Sequence, residues 1–152
     1  MNTHHSRETN IHELATIIRA LIWQGHKQSV VTMEALSLTL PQAIILLALD
    51  ANGGRSIMSD LASLTQQSAG TVTGIVDRLI AAGLVERRRD EEDRRVVWVA
   101  LTEAGRAKIV EINVQREADV TAMTALFDDA EIVQFTGLMR RLLDSVEALT
   151  KQ

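Results

Sequence analysis

The stretch from Val85 to Gly105 restricts this chain more than any other: Val85-Glu86-Arg87-Arg88-Arg89-Asp90-Glu91-Glu92-Asp93-Arg94-Arg95-Val96-Val97-Trp98-Val99-Ala100-Leu101-Thr102-Glu103-Ala104-Gly105. Residues 95–101 alternate Val97, Val99 and Leu101 with Val96, Trp98 and Ala100, the period of a half-buried strand. Residues 85–89 read as its partner. Between and within them, five arginines and four carboxylates fall in the nine residues from Arg87 to Arg95. The segment therefore predicts a β-hairpin with a densely charged tip. It ends at Thr102, a suitable N-cap, and Glu103 is well placed in the first turn of the helix that follows. Arginine presents a planar, permanently charged fork that suits phosphates and groove edges. Interleaved acids can hold such side chains in place.

Just upstream lie two short helical patterns. Ser56 is positioned to cap the first, whose apolar positions are Ile57, Leu61 and Leu64. Thr65-Gln66-Gln67 reads as a turn. Ser68 starts the second, from Ala69 to about Ala82, and Gly83 stops it. Its inward positions, Val72, Ile75, Val76, Leu79 and Ile80, recur at i, i+3, i+4, i+7, i+8. Two short helices across a tight turn make a helix-turn-helix. Followed by a charged hairpin, this is the order of a winged helix that binds DNA.

The remaining segments read as helices. Residues 1–9 look like a loose tail, and Asn10 caps a helix from Ile11 with Leu14, Ile17, Ile18, Leu21 and Ile22 on one face. Thr39-Leu40-Pro41-Gln42 is a capping box, and Asn52-Gly53-Gly54 ends that helix near Asp50. The helix after Thr102 runs to about Phe127. Asp128-Asp129-Ala130-Glu131 opens the last helix, striped with Ile132, Phe135, Leu138, Met139, Leu142, Val146 and Leu149. The fold class is mainly α with a small β-hairpin wing: a winged helix-turn-helix region over 39–101, and a helical dimerisation region from 10–38 and 102–152. An intramolecular bundle is the other way to bury the end helices. A dimer is favoured, because isologous pairing is the commonest assembly and offers a duplex two half-sites.

Composition excludes much. There is no Cys among the 152 residues, so disulfides and thiolate metal sites are ruled out within this chain. Aromatics are 3%, too few for a stacking platform on single strands. The N-terminus lacks the apolar core of a signal peptide, and no apolar run reaches the roughly 18–20 residues of a membrane span. A cytoplasmic protein without membrane contact is expected. No nucleophile–base pair, phosphate loop or tuned carboxylate pair is recognisable, so no enzyme is expected. His4, His5, His12 and His26 form no compact ligand set, and no cofactor or metal is expected. Net charge is −4, yet residues 55–108 hold nine Lys and Arg against eight Asp and Glu, so the excess acid lies elsewhere.

The candidate DNA-contacting residues of the second helix are Ser68, Gly70, Thr71 and Thr73, on the face opposite Val72, Ile75 and Val76. Small groups there let the backbone approach, and a helix N-terminus offers N–H groups to phosphate. Arg78 either binds phosphate or pairs with Asp77 or a wing carboxylate. Arg89 and Arg94 are candidate backbone contacts. Asp93 is read as orienting the wing through an arginine. Trp23, His26, Met33 and Trp98 are candidates for a pocket, with wing packing favoured for Trp98. Ligand-binding residues stay unassigned.

The landmarks Leu40-Pro41-Gln42, Thr73, Val76-Asp77-Arg78-Leu79, Gly83-Leu84-Val85, Asp93-Arg94-Arg95 and Leu101-Thr102-Glu103-Ala104-Gly105 occur in the order and spacing of one family. Over about Ile11 to Leu149 the chain resembles the MarR (multiple antibiotic resistance regulator) family. The resemblance implies a dimeric regulator with the second helix in the major groove and the wing tip in the flanking minor groove. It implies that Arg95 is the minor-groove probe, oriented through Asp93, and that a small aromatic effector releases a repressor from a pseudo-palindromic operator. One departure is Gly74, where the founding member's pattern has an arginine. A winged-helix module that contacts protein without reading DNA is the alternative, favoured by the acidic net charge and by Gly74.

Overall fold

The computed structural model describes residues 3–90 and 96–150. In chain order the elements are α1 (Thr3–Ala35), α2 (Leu40–Ala51), β1 (Arg55–Ile57), α3 (Met58–Leu64), α4 (Ala69–Ala81), β2 (Val85–Arg89), β3 (Val97–Leu101), α5 (Glu103–Met123) and α6 (Asp129–Thr150). The chain divides into two compact units, Met1–Asn113 and Val114–Gln152.

Caps set most of these boundaries. At α2, Thr39 Oγ1 accepts from the Gln42 amide at 3.4 Å while Gln42 Oε1 accepts from the Thr39 amide at 2.8 Å. Ser68 caps α4 by accepting from the Thr71 amide at 3.2 Å. Asp128 and Glu131 exchange the same pair of bonds ahead of α6, at 2.9 and 2.8 Å. Each satisfies N–H groups that a helix start leaves without intrahelical partners. Gly83 ends α4 with φ +73°, a left-handed conformation that costs glycine nothing.

Three expectations are corrected. Helix α1 begins at Thr3, so residues 3–9 are helical rather than a loose tail, and Asn10 lies inside the helix instead of capping it. Ser56 is not a cap: it is a buried residue of β1, and Ile57 precedes α3 without a side-chain cap bond. Helix α5 ends at Met123, short of Phe127.

The sheet is antiparallel with order β1-β3-β2. Strand β2 pairs with β3 from Val85↔Leu101 to Arg89↔Val97, and β1 pairs on the other side from Arg55↔Ala100 to Ile57↔Trp98. The core of the first unit is built by Ile45, Leu46 and Leu49 of α2, Leu61 of α3, Val72, Val76 and Leu79 of α4, Val85 and Val99 of the sheet, and Ile112 of α5. Only the C-terminal end of α1 joins it, through Met33, while Ile11, Leu14, Leu21 and Ile22 stay exposed. Gly105 lets α5 leave the sheet tightly: a Cβ there would collide with the Leu84 carbonyl oxygen, which already accepts from the Thr102 amide at 3.1 Å. In the second unit, Phe127 and Phe135 meet edge to face at 5.8 Å.

Candidate nucleic-acid interface

Helix α4 has one buried and one open face. Val72, Ile75, Val76 and Leu79 are sealed against α2, α3 and β2. Ser68, Gly70, Thr71 and Thr73 are exposed on the other side, with Gly74 half-buried and Arg78 exposed. The fold thus brings all five predicted helix residues to one outer surface. Their hydroxyls, however, are turned inward on the helix itself. Ser68 Oγ and Thr71 Oγ1 share a hydrogen bond of 2.8 Å, and Thr73 Oγ1 donates to the Ala69 carbonyl at 2.8 Å. Such local bonds organise a helix start.

The wing stands beside this helix. Arg87 Nη1 lies 2.7 Å from Asp77 Oδ1, tying β2 to α4. Asp77 therefore pairs with Arg87, not with its neighbour Arg78. Arg88 pairs with Glu86 at 2.5 Å. Arg89 is exposed at the end of β2. Asp93, Arg94 and Arg95 lie outside the described residues.

Trp98 is a wing-packing residue. Its indole Nε1 donates to Asp90 Oδ2 at 2.8 Å, and the Arg55 guanidinium sits 4.9 Å from its ring centroid. The hairpin is thereby fastened from β1 and from its own tip. At the base of the wing, Thr102 Oγ1 donates to the Gly83 carbonyl at 2.7 Å and accepts from the Gly105 amide at 3.0 Å. One hydroxyl joins the end of α4 to the start of α5.

Elsewhere in the same unit, a cavity of about 410 Å³ is lined by His26, Val30 and Glu34 of α1, Leu38 and Thr39, and Leu40, Pro41 and Ile44 of α2. Its size suits a small organic molecule. Of the four pocket candidates only His26 lines it. Met33 is buried in the core, Trp23 is exposed beside Lys27, and Trp98 belongs to the wing.

A family model described as MarR family matches residues 36–96, which take in α2 to β2 and stop just before β3. The HTH-type transcriptional repressor NicR of Pseudomonas putida is 37% identical over 111 residues, covering 72% of this chain and 69% of that protein. The chain belongs to the MarR family. A MarR family protein from Bacillus stearothermophilus has the same fold at a TM-score of 0.83 and 28% identity, over 92% of this chain and 97% of that one. Bordetella bronchiseptica BpsR, whose structure addresses regulation of its DNA binding by 6-hydroxynicotinic acid, is 28% identical with a TM-score of 0.59, over 82% and 97% of the two chains. The relatives are transcription regulators, not enzymes. Among the described residues of this MarR-family chain, no single helix is long and apolar enough to cross a membrane.

Sequence reasoning missed three parts of this MarR wing. Strand β1 is three residues long, too short to show a period. The Asp77–Arg87 pair and the Arg55–Trp98–Asp90 stack both depend on strand register. The only sequence signal for them was an excess of arginine opposite acids.

Proposed function

We propose that this chain is a homodimeric repressor that binds a pseudo-palindromic operator and is released by a small aromatic effector. The observation that carries this reading is the open face of α4, standing free beside a wing that ion pairing fixes to it. In this reading the N-terminal turns of α4, with Ser68, Gly70, Thr71 and Thr73, enter the major groove. Arg78, Arg89 and Arg94 meet the duplex beside them, and Arg95, oriented by Asp93, probes the minor groove. The exposed apolar stripes of α1 and α6 supply the dimer contact. The same helical region and the winged helix-turn-helix region are the two functional parts, joined through α5.

The cavity between α1 and α2 is the proposed effector site. His26 and Glu34 lie two helical turns apart on α1 and, with Thr39, are the polar side chains of a mainly apolar lining. A small flat ring carrying both a hydrogen-bond donor and an acceptor suits a lining that holds His26 and Glu34, and 6-hydroxynicotinic acid, which figures in the regulation of BpsR, carries both.

Anisotropy of a labelled duplex recovered by selection tests both halves. The logarithm of affinity is expected to fall steeply and linearly with the logarithm of salt, since each phosphate neutralised contributes a slope near −0.9. Millimolar 6-hydroxynicotinic acid is expected to release the duplex, and His26→Ala to blunt that release without changing affinity in its absence. Salt-insensitive binding would overturn the DNA reading in favour of a protein-contacting module. Release that is unchanged in His26→Ala would overturn the pocket assignment.

A further inference from the structure

We infer that Arg78 reads a guanine in the major groove, and that Gly74 opens the path by which it does so. The inference rests on the proposed docking of α4 into DNA and names the residue that sets its sequence preference.

Residues 71, 74 and 78 lie on one row of α4, spaced three and four apart. Gly74 leaves a gap in that row. The Arg78 guanidinium lies alongside it: Nη2 is 3.8 Å from the place a Cβ on Gly74 would take, an ordinary contact distance. Helical side chains lean toward the helix N-terminus. The charged head is thus carried back by about one turn, roughly 6 Å, from the Arg78 backbone position. It moves toward the residues that meet base edges when a recognition helix lies in the groove. A Cβ alone at 74 would only touch the guanidinium, but a long side chain extending beyond Cβ would compete for the space beside it.

Two further observations leave the task to Arg78. The hydroxyls of Ser68, Thr71 and Thr73 are engaged within the helix. Asp77, the nearest carboxylate in sequence, is held by Arg87 at 2.7 Å. Arg78 is exposed and makes no ion pair with another described residue. It is the one long hydrogen-bond donor that the described residues of α4 present on the outer face. Guanine O6 and N7 match the planar, two-pronged guanidinium; lysine can reach the same pair of acceptors, but as a point charge with less directional fit.

A phosphate also accepts an arginine, so the test must separate the two. Wild type, Arg78→Lys and Arg78→Ala are each used to select duplexes from a pool with about 30 randomised base pairs, room for two half-sites. Circular dichroism checks that each is folded; Arg78 is exposed and outside the core. The wild type is expected to enrich one fixed guanine in each half-site. Arg78→Ala is expected to keep the rest of the consensus and lose the guanine preference by about tenfold or more, and Arg78→Lys, which keeps a donor without the planar fork, to lose only part of it. The inference is overturned if both variants keep the guanine while Arg78→Ala binds every sequence more weakly with a salt slope smaller by about one, the mark of a phosphate contact. A wild-type consensus without such a guanine also overturns it, while leaving the docking of α4 intact. No enrichment by folded wild type removes the docking itself and this inference with it.

Discussion

Helices α4 and α6 carry the same spacing of apolar residues and meet opposite fates. Val72, Ile75, Val76 and Leu79 of α4 are at most 4% exposed, whereas Ile132, Phe135, Leu138, Met139, Leu142 and Val146 of α6 are 38% to 53% exposed. The period says which face of a helix is apolar. It does not say what covers that face. For α4 the cover is local: α2, α3 and β2 close over 13 residues. Helix α6 has 22 residues, about 33 Å of stripe, and its apolar side chains stay open in the single chain. A contiguous apolar surface of this kind marks an interaction site. The two helices therefore divide the labour. Burial of one face of α4 leaves its polar face open, the face proposed to meet a duplex, and the apolar face of α6 stays exposed, the face proposed to meet a second copy.

The largest effect is expected where burial is complete. Leu46 of α2 is 0% exposed in the centre of the core. Leu46→Ala is expected to cost about 2–5 kcal/mol in urea unfolding, the transfer of its side chain plus the cavity left behind. The loss is expected to be the same at high and low protein concentration, since the site lies inside one subunit.

Leu142→Asp probes the other case. Leu142 is 43% exposed in the single chain, so little of the stability of the isolated subunit depends on it. In a dimer sealed by α6, a carboxylate in the stripe is expected to raise the dissociation constant at least about tenfold, or about 1.4 kcal/mol, by sedimentation equilibrium. An unchanged dissociation constant would mean that α6 is not the contact. A concentration-dependent loss in Leu46→Ala would mean that the two regions are not separate in energy.

How much of this was legible in the sequence follows from the range over which each signal acts. Capping chemistry is local, and so Thr39 with Gln42, Ser68, Thr102 and Asp128 with Glu131 are readable as helix starts. The hairpin is readable because alternation repeats along β3. Strand β1 is not, because its three residues pair with Trp98, Val99 and Ala100 far along the chain. Ser56 has the chemistry of a cap, but pairing with β3 places it in the sheet. Asn10 likewise has cap chemistry, yet α1 continues through it to Thr3. A residue that can start a helix does not stop one from extending backwards. At the interface, the exposed residues of α4 follow from periodicity alone. The partner of Asp77 does not, because Arg78 is adjacent in sequence while Arg87 is adjacent in space. The place of the Arg78 guanidinium over Gly74 depends on how one long side chain bends, which no spacing rule specifies.

The smallest effect is expected at the Asp77–Arg87 pair, which joins the buried region to the wing. The two side chains are 54% and 36% exposed, so water screens their attraction. A double-mutant cycle with Asp77→Asn and Arg87→Gln is expected to give a coupling of about 0–1 kcal/mol in unfolding. Binding is expected to respond in a different way. Removing Asp77 takes a negative charge from the surface proposed to face the duplex, which favours phosphates of any sequence. It also unties Arg87, so β2 loses its one ion pair to α4 among the described residues and the wing is held at its angle less firmly. Affinity for random duplex is therefore expected to rise in Asp77→Asn while affinity for the selected site does not, and the ratio of the two falls. A coupling well above 1 kcal/mol with that ratio unchanged would assign the pair to the stability of the fold. The expected pattern, a small coupling with a reduced ratio, assigns it to the aim of the wing: an ion pair too exposed to hold the protein together can still decide where an arginine-rich hairpin points.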